Sequence, residues 1–219
     1  MKHKSDDQPV RRSSKMDQTA FSPIRLVDPH PPAGVNLTGV PRRVKDRCAD
    51  IYNVHKKWQE NKLLGAELIK RIADKRNRLS EIPDLCDSLL GVVDNLEKLV
   101  DILTNAAQNF DSLVRIDNLS SSSSALSSQT GAGDGAPSMR SDRAVFVNLS
   151  LDDFARMVRA IEEAFRKELV LKKEVARQIP HQTSKNVLMF SSLCWMFDPH
   201  VDERTRATIL SLVAECGFK

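Results

Sequence analysis

Residues 150–180 read SLDDFARMVRAIEEAFRKELVLKKEVARQIP, and they form the best-bounded helix that the sequence predicts. Ser150 can cap the first free amides, Asp153 completes a capping-box pattern, and Pro180 cannot continue a helix. Apolar residues recur every three or four positions, which places one apolar stripe on one side of the helix. The stripe consists of Leu151, Phe154, Val158, Ile161, Phe165 and Leu169. The pattern indicates a helix that packs on its neighbours along this stripe.

The composition favours an all-α fold. The chain has 219 residues, of which 41% are apolar, only 5% are aromatic and 28% are charged. Sheet proteins are richer in β-branched and aromatic residues than this. We therefore expect an antiparallel helical hairpin or coiled coil, joined by C-terminal helices that form a small bundle.

Residues 43–119 predict the long helical hairpin. From Val44 to Ile72 a heptad seam runs at steps of four and three, but His55, Lys62 and Gly65 interrupt it. The next helix, 82–119, has the cleanest period, with a second apolar row beside the first, so it needs at least two neighbours. Residues 43–78 are strongly basic and 79–119 strongly acidic, which favours pairing. The predicted helix-association face comprises Trp58, Leu85, Leu89, Val92, Leu96, Leu99, Leu103 and Phe110.

The remaining segments divide by composition. Residues 1–42 are expected to form a disordered basic tail, in which Ser22 precedes proline as in sites of cyclin-dependent kinases; an unmodified linker is the alternative. Residues 120–149 predict a flexible Ser/Gly-rich linker with an extended apolar lead-in. Residues 150–219 predict a C-terminal helical unit that packs on the hairpin, with further helices from about 184 to 198 and from 202 to 216.

No constellation for chemistry appears in the sequence. The four cysteines are widely spaced, the histidines match no metal-binding pattern, and no nucleophile has a base nearby in sequence. Asp198, His200 and Asp202 are interpreted as a turn and a helix cap, not as metal ligands. We expect no enzymatic activity, no catalytic, cofactor-binding or metal site, no cofactor and no membrane span.

The charged side of the 150–180 helix has three interpretations. It carries Arg166, Lys167, Glu168, Lys172, Lys173, Glu174 and Arg177. Glu163 with Lys167, and Glu168 with Lys172, can pair at i and i+4, which is typical of a solvated helix surface. The alternative is a docking face for a protein partner. Direct nucleic-acid binding is third, because acidic residues interleave with the basic ones.

Three blocks resemble the cyclin-dependent-kinase-interacting protein (CINP) family. They are RKELVLKKEVARQIPH at 166–181, a stretch with Leu193, Trp195, Pro199, Val201, Asp202, Arg206, Glu215 and Gly217, and a weaker block from Arg43 to Trp58. The resemblance implies a nuclear, non-catalytic helical adaptor. Its implied partners are cyclin-dependent and other S-phase kinases, the ATR–ATRIP checkpoint complex, and an AAA+ ATPase complex with a small helical co-subunit. The implied processes are DNA replication and its proteostasis, the DNA-damage checkpoint and ribosome biogenesis.

The resemblance also selects the residues expected to dock a partner. They are Arg166, Lys167, Glu168, Leu169, Lys172, Trp195, Pro199 and Val201. Two other functions remain open from the residues. One is a nucleic-acid-binding helical protein that uses the basic tail and first helix, and the other is a structural homodimeric coiled coil.

Overall fold

The computed structural model describes residues 37–75, 81–127 and 145–218, which form an all-α fold as the composition predicts. The five helices are α1 (Gly39–Asp74), α2 (Ile82–Ser127), α3 (Leu151–Gln178), α4 (Lys185–Phe197) and α5 (Glu203–Glu215). One 3-10 turn, Ile179–His181, follows α3 where Pro180 ends the helix. For residues 121–127 the description covers the backbone only.

Helix α2 runs antiparallel to both α1 and α3. The Arg159 guanidinium donates to the Asp111 carboxylate, with Nε and Oδ1 2.8 Å apart, and Lys173 forms an ion pair with Glu97 at 2.7 Å. Residue numbers therefore increase along α3 in the direction in which they decrease along α2, so the two helices are antiparallel. At the other side, the first turns of α1 share a cleft with residues 109–116 of α2. The predicted antiparallel hairpin is confirmed.

Helices α4 and α5 together make the fourth side of a bundle. Lys185, at the start of α4, lines the same groove as Asp74 at the end of α1, whereas the Trp195 indole bonds to the Lys62 carbonyl, three turns earlier in α1. Beyond α5 the Phe218 ring meets the Lys45 ammonium, 4.9 Å from the ring centroid. The pair α4 and α5 thus runs down α1 in the reverse direction, and the chain forms an up-down-up-down four-helix bundle whose fourth side is interrupted between Phe197 and Glu203.

The core is one cluster of buried apolar side chains from all five helices. All eight residues of the predicted helix-association face are buried in it. The Trp58 ring meets Phe165 edge to face at 4.9 Å, and Phe110 stacks on Phe154. These residues therefore associate helices within one chain.

The caps at the start of α3 and α5 agree with their sequence patterns. The Asp153 amide donates to Ser150 Oγ, and the Ser150 amide donates to the Asp153 carboxylate, which is a complete capping box. The Asp202 side chain accepts from the Thr205 amide at 2.8 Å. Before α3, the amides of Val147, Asn148 and Leu149 all donate to Oε1 of Glu215 in α5. The extended lead-in is thereby tied to the end of the fourth side.

Two predicted boundaries are wrong. Helix α1 begins at Gly39, so residues 39–42 belong to it and not to a tail, because Pro41 lies in the first turn, where a missing amide hydrogen breaks no helical bond. Helix α2 continues to Ser127, so residues 120–127 are helical and not a linker. Ser120 Oγ donates to the Ile116 carbonyl, a bond that keeps serine compatible with a helix. The predictions for residues 1–36, including Ser22, and for 128–144 lie outside the described residues.

Candidate functional site

Four charged side chains form a buried ion cluster at the break in the fourth side: Lys62, Glu168, Lys172 and Asp198. Three oxygens surround Lys172 Nζ: Glu168 Oε1 at 2.9 Å, Asp198 Oδ1 at 2.7 Å and the Trp195 carbonyl at 2.6 Å. They are as many as the ammonium group has protons. Lys62 Nζ lies 3.0 Å from the second Asp198 oxygen. Two positive and two negative groups therefore neutralise one another inside the bundle.

The same cluster fixes the turn between α4 and α5. Asp198 ends α4 in the left-handed conformation, with φ 47°, which short polar side chains tolerate better than most. Its carbonyl accepts from the Val201 amide at 2.9 Å, and the second Glu168 oxygen accepts from the His200 amide at 2.9 Å. Charged groups on α1 and α3 thus hold the backbone that redirects the chain.

Trp195 inserts beside the cluster against α1. Its indole N–H donates to the Lys62 carbonyl at 2.9 Å, and the centroid of its ring lies 5.1 Å from Lys172 Nζ. A Cβ added to Gly65 would meet this ring at 2.3 Å. Lys62 and Gly65, which interrupt the predicted apolar seam of α1, are therefore the positions at which Trp195 of α4 packs against α1.

The structure divides the predicted docking residues. Glu168, Leu169, Lys172, Trp195 and Val201 are buried, so the expectation that they form a docking surface is wrong. Arg166, Lys167 and Pro199 are exposed, and the docking prediction stays with them. Steps of four, three, four and three run from Ile161 through Phe165, Glu168 and Lys172 to Val175, which puts the two charged residues on the core side. The apolar stripe predicted from the sequence passed from Phe165 to Leu169 and did not include Glu168 or Lys172.

Several exposed charges on α3 form ion pairs within the helix. Arg166 forms ion pairs with Glu162 and Glu163, and Lys167 with Glu163 at 3.2 Å. Farther along, the Arg177 guanidinium and the Gln178 amide lower the pKa of the Glu174 carboxyl to about 2. These pairs fit the interpretation of a solvated helix surface, because Arg166, Lys167 and Arg177 each pair with a glutamate of the same helix.

Outside the cluster, the half-buried His55 imidazole and the buried Cys48 thiol have shifted pKa values. Burial lowers the pKa of His55, and the charges of Arg206 and Lys62 lower it further. A hydrogen bond with the Cys216 thiol, together with burial, raises the pKa of the Cys48 thiol. Within residues 37–75, 81–127 and 145–218 no three His, Cys, Asp or Glu side chains are grouped so as to hold a metal ion. The helices of the same ranges are also too short or too polar to cross a membrane.

The outer surface of α4 is apolar. Phe190, Leu193 and Phe197, which we call the α4 outer face, are 66%, 53% and 71% exposed. They follow one another at steps of three and four, so they form one line along the helix. Beside them a groove of about 480 Å³ separates α4 from α1. It is lined mainly by apolar side chains, among them Leu63, Ala66, Ile69, Ala73, Leu188, Met189 and Met196.

The sequence held a signal for this face. Lys185 is the only charged residue of α4, so the helix is apolar on nearly every side. A helix with one buried side and no polar side leaves apolar surface in solvent unless another element covers it.

Comparison with known proteins gives similarity along most of the chain. A protein of Xenopus laevis named Cyclin-dependent kinase 2-interacting protein is 19% identical over 215 residues, covering 88% of this chain and 95% of that protein. Its namesake from Homo sapiens is 22% identical over 205 residues, covering 81% and 90%. The protein of that name from Mus musculus is 24% identical over 66 residues. No protein-family model matches the chain. Over most of its length, the chain is therefore similar to proteins named for their interaction with a cyclin-dependent kinase.

Proposed function

We propose that this chain is a non-enzymatic adaptor of the CINP family and that it binds a cyclin-dependent kinase. The observation that carries the proposal is similarity across most of the chain to two proteins that are named as interacting with cyclin-dependent kinase 2. Because the similarity extends over nearly their whole length, it concerns the complete bundle and not one common motif.

The buried ion cluster supports this assignment. Glu168 and Lys172 come from one resembling block, and Trp195 and Val201 from another. The first three of these residues meet in space, and the Val201 amide closes the adjoining turn. Residues from two blocks that resemble the family thus build one internal arrangement, which favours a shared fold, whereas the docking surface has to be sought among the exposed residues.

Direct binding of kinase to the purified chain tests the proposal. Cyclin-dependent kinase 2, alone and with its cyclin, is titrated against the full chain by calorimetry. We expect saturable binding to at least one of the two forms. Absence of binding to both, at concentrations up to on the order of 100 µM, would remove the kinase from the proposal.

Paired variants then test the remaining docking residues. We expect Arg166→Ala with Lys167→Ala to weaken kinase binding, while Arg177→Ala, an exposed arginine on the same helix, serves as the control. If the double variant binds as the natural chain does, the kinase is bound elsewhere and this part of α3 is only a solvated surface.

The proposal extends to the cellular setting that the family resemblance implies. We assign the chain to the nucleus, to replication and the ATR–ATRIP checkpoint, and to an AAA+ ATPase complex that acts in replisome proteostasis or ribosome biogenesis. Affinity purification from nuclease-treated extract, followed by mass spectrometry, is expected to recover these proteins. A partner group that is never recovered is removed from the proposal.

The two alternatives find less support. Two basic residues early in α1 form ion pairs with acidic residues of the same helix, Arg42 with Asp46 and Arg47 with Asp50. These pairs reduce the positive charge of the surface to which a nucleic acid would bind. A homodimeric coiled coil through the 85–110 seam has no free seam, because that row is buried between α1 and α3.

A further inference from the structure

The Cys48 and Cys216 thiols meet where α1 and α5 pack against each other. A hydrogen bond joins the two thiols. Cys48 lies fully buried in α1, and Cys216, the C-terminal cap of α5, is only 3% exposed. A disulfide requires two cysteine side chains that point at each other at short range. This pair of thiols has that arrangement, although its members lie near opposite ends of the sequence.

The turn after Cys216 holds its backbone in place. Gly217, with φ 72°, and Phe218 close a Schellman motif, in which their amides donate to carbonyls of the last turn of α5 at 2.9 and 3.2 Å. The Phe218 ring then contacts Lys45 Nζ, which lies one turn before Cys48 on α1. The chain on the C-terminal side of Cys216 is therefore fixed against the same turn of α1 that carries Cys48.

The residue before Cys216 is anchored as well. Glu215 Oε1 accepts from the amides of residues 147–149, which ties the end of α5 to the start of α3. On the other side of the pair, Cys48 lies one turn after Val44 on the inner side of α1, and both are 0% exposed. Both backbones are thus fixed, so the two thiols stay together while the bundle is folded.

The other two cysteines provide an internal comparison. Cys86 lies on α2 and Cys194 on α4, and both are half-buried. Dissolved oxidant therefore reaches them more easily than it reaches the buried pair. Oxidation that stops at these two positions can be told apart from oxidation of the pair.

We propose that Cys48 and Cys216 are a modification site, at which hydrogen peroxide closes a disulfide between α1 and α5. The Cys216 sulfur attacks one peroxide oxygen, the O–O bond breaks, and a sulfenic acid and one water form. The Cys48 sulfur then attacks the Cys216 sulfur, and the S–O bond breaks. The hydroxide that leaves takes the Cys48 proton and becomes a second water. Two electrons thus pass from the two thiols to the peroxide.

Cys216 reacts first, and the reaction is slow. It is the less buried of the two, and it lies at a helix end, where local opening costs least. The hydrogen bond with Cys216 and burial raise the pKa of the Cys48 thiol, so little thiolate is present while the pair is closed. Oxidation therefore proceeds during opening of the α5 end, and the disulfide then holds that end shut.

Peptide mapping without reduction tests the proposal on the full chain. The chain is treated with excess hydrogen peroxide, free thiols are alkylated, and trypsin releases residues 48–56 and 207–219. We expect these two peptides to be joined by a disulfide and to separate in dithiothreitol. Unlinked peptides in a sample whose Cys86 and Cys194 are oxidised overturn the proposal, as does a disulfide that joins either peptide to another cysteine.

Stability gives a second readout. Because the bond closes a long loop, we expect the oxidised chain to unfold with an equilibrium constant about 30-fold to 900-fold smaller than that of the reduced chain. Urea unfolding followed by circular dichroism measures both forms. An unchanged equilibrium constant in a cross-linked sample overturns the claim that the bond holds the α5 end shut.

Two serine variants assign the effect to the pair. Cys216→Ser is expected to lose the cross-link and the gain in stability, whereas Cys194→Ser, the matched control, keeps both. An equal gain in Cys216→Ser overturns the inference, because another oxidation then causes it. If Cys216→Ser does not fold, the peptide map of the natural chain still decides. Neither readout involves the kinase, so the adaptor role is tested separately.

Discussion

Two ion pairs on α3 have the same chemistry and opposite surroundings. Glu163 with Lys167, and Glu168 with Lys172, are both glutamate–lysine pairs at i and i+4, with N–O distances of 3.2 Å and 2.9 Å. The first pair lies in solvent, whereas both side chains of the second are fully buried. Five positions along one helix therefore separate a surface pair from the centre of the molecule.

The role of a charged side chain on α3 therefore depends on which side of the helix it occupies, and not on how many charges lie nearby in sequence. An exposed pair contributes little because water screens it and its side chains lose entropy. A buried pair is costly to desolvate, but it strongly resists the loss of one partner, since the other charge would remain buried and uncompensated. Here the buried pair also holds Asp198 and the His200 amide, so it positions the turn that leads to α5.

Removing one lysine from each pair gives the largest expected difference. We expect Lys172→Met to lower the free energy of unfolding by about 3–5 kcal/mol, because Glu168 and Asp198 lose the ammonium group between them. Lys167→Met is the matched control, with an expected change of at most about 1 kcal/mol. Urea unfolding followed by circular dichroism measures both. Equal losses in the two variants would contradict the contrast drawn between the pairs.

A pair of glycine substitutions tests how closely α4 must approach the ion cluster. A Cβ at Gly65 would meet the Trp195 ring at 2.3 Å, whereas one at Gly91, exposed in α2, meets nothing within 4 Å. We expect Gly65→Ala to destabilise by about 1–3 kcal/mol through overpacking. Gly91→Ala should stabilise by about 0.5–1 kcal/mol, because alanine is the better helix former. Thermal unfolding gives the sign of each change, and a rise in melting temperature for both variants would show that Trp195 moves aside freely.

The smallest expected effect concerns His55. Like Lys62, it is a polar residue on the α1 seam, but it is only half-buried. The pKa of His55 is lowered in the folded state by burial, by Arg206 and by Lys62, while Asp198 opposes the shift. The unfolded chain therefore binds a proton more readily, so stability is complete above about pH 6.5 and falls as the pH drops below that value. Unfolding free energies at pH 7.5 and 5.5 should differ more for the natural chain than for His55→Gln. An equal difference in both would exclude His55 as the source.

Helix positions were readable from local chemistry, but the two outer boundaries were not. The capping box at Ser150, the cap at Asp202 and the exit at Gly217, with φ 72°, all follow from residue types at fixed offsets. Pro41 and Ser120 misled the prediction, because composition treats proline and serine as helix breakers even where a first turn or a side-chain bond accommodates them.

The ion cluster was only half predictable. Lys62 was recognised as an interruption of the α1 seam, and Glu168 and Lys172 fall on the α3 row that includes Phe165. Their meeting was not predictable, because it depends on Trp195, which bonds to a carbonyl 133 residues earlier. Periodicity predicts which side of a helix faces the core, but it does not predict which residue of another helix packs against that side.

The reversed run of α4 and α5 along α1 has a consequence for how the chain is made. Among the residues that the structure describes, those from 185 to 218 cover one side of α1, so α1 emerges from the ribosome long before this cover exists. At about 5–20 residues per second, that interval lasts on the order of ten seconds. During it, the seam near Cys48 and Gly65 is open to chaperones and to aggregation, and the synthesis of α4 and α5 closes it.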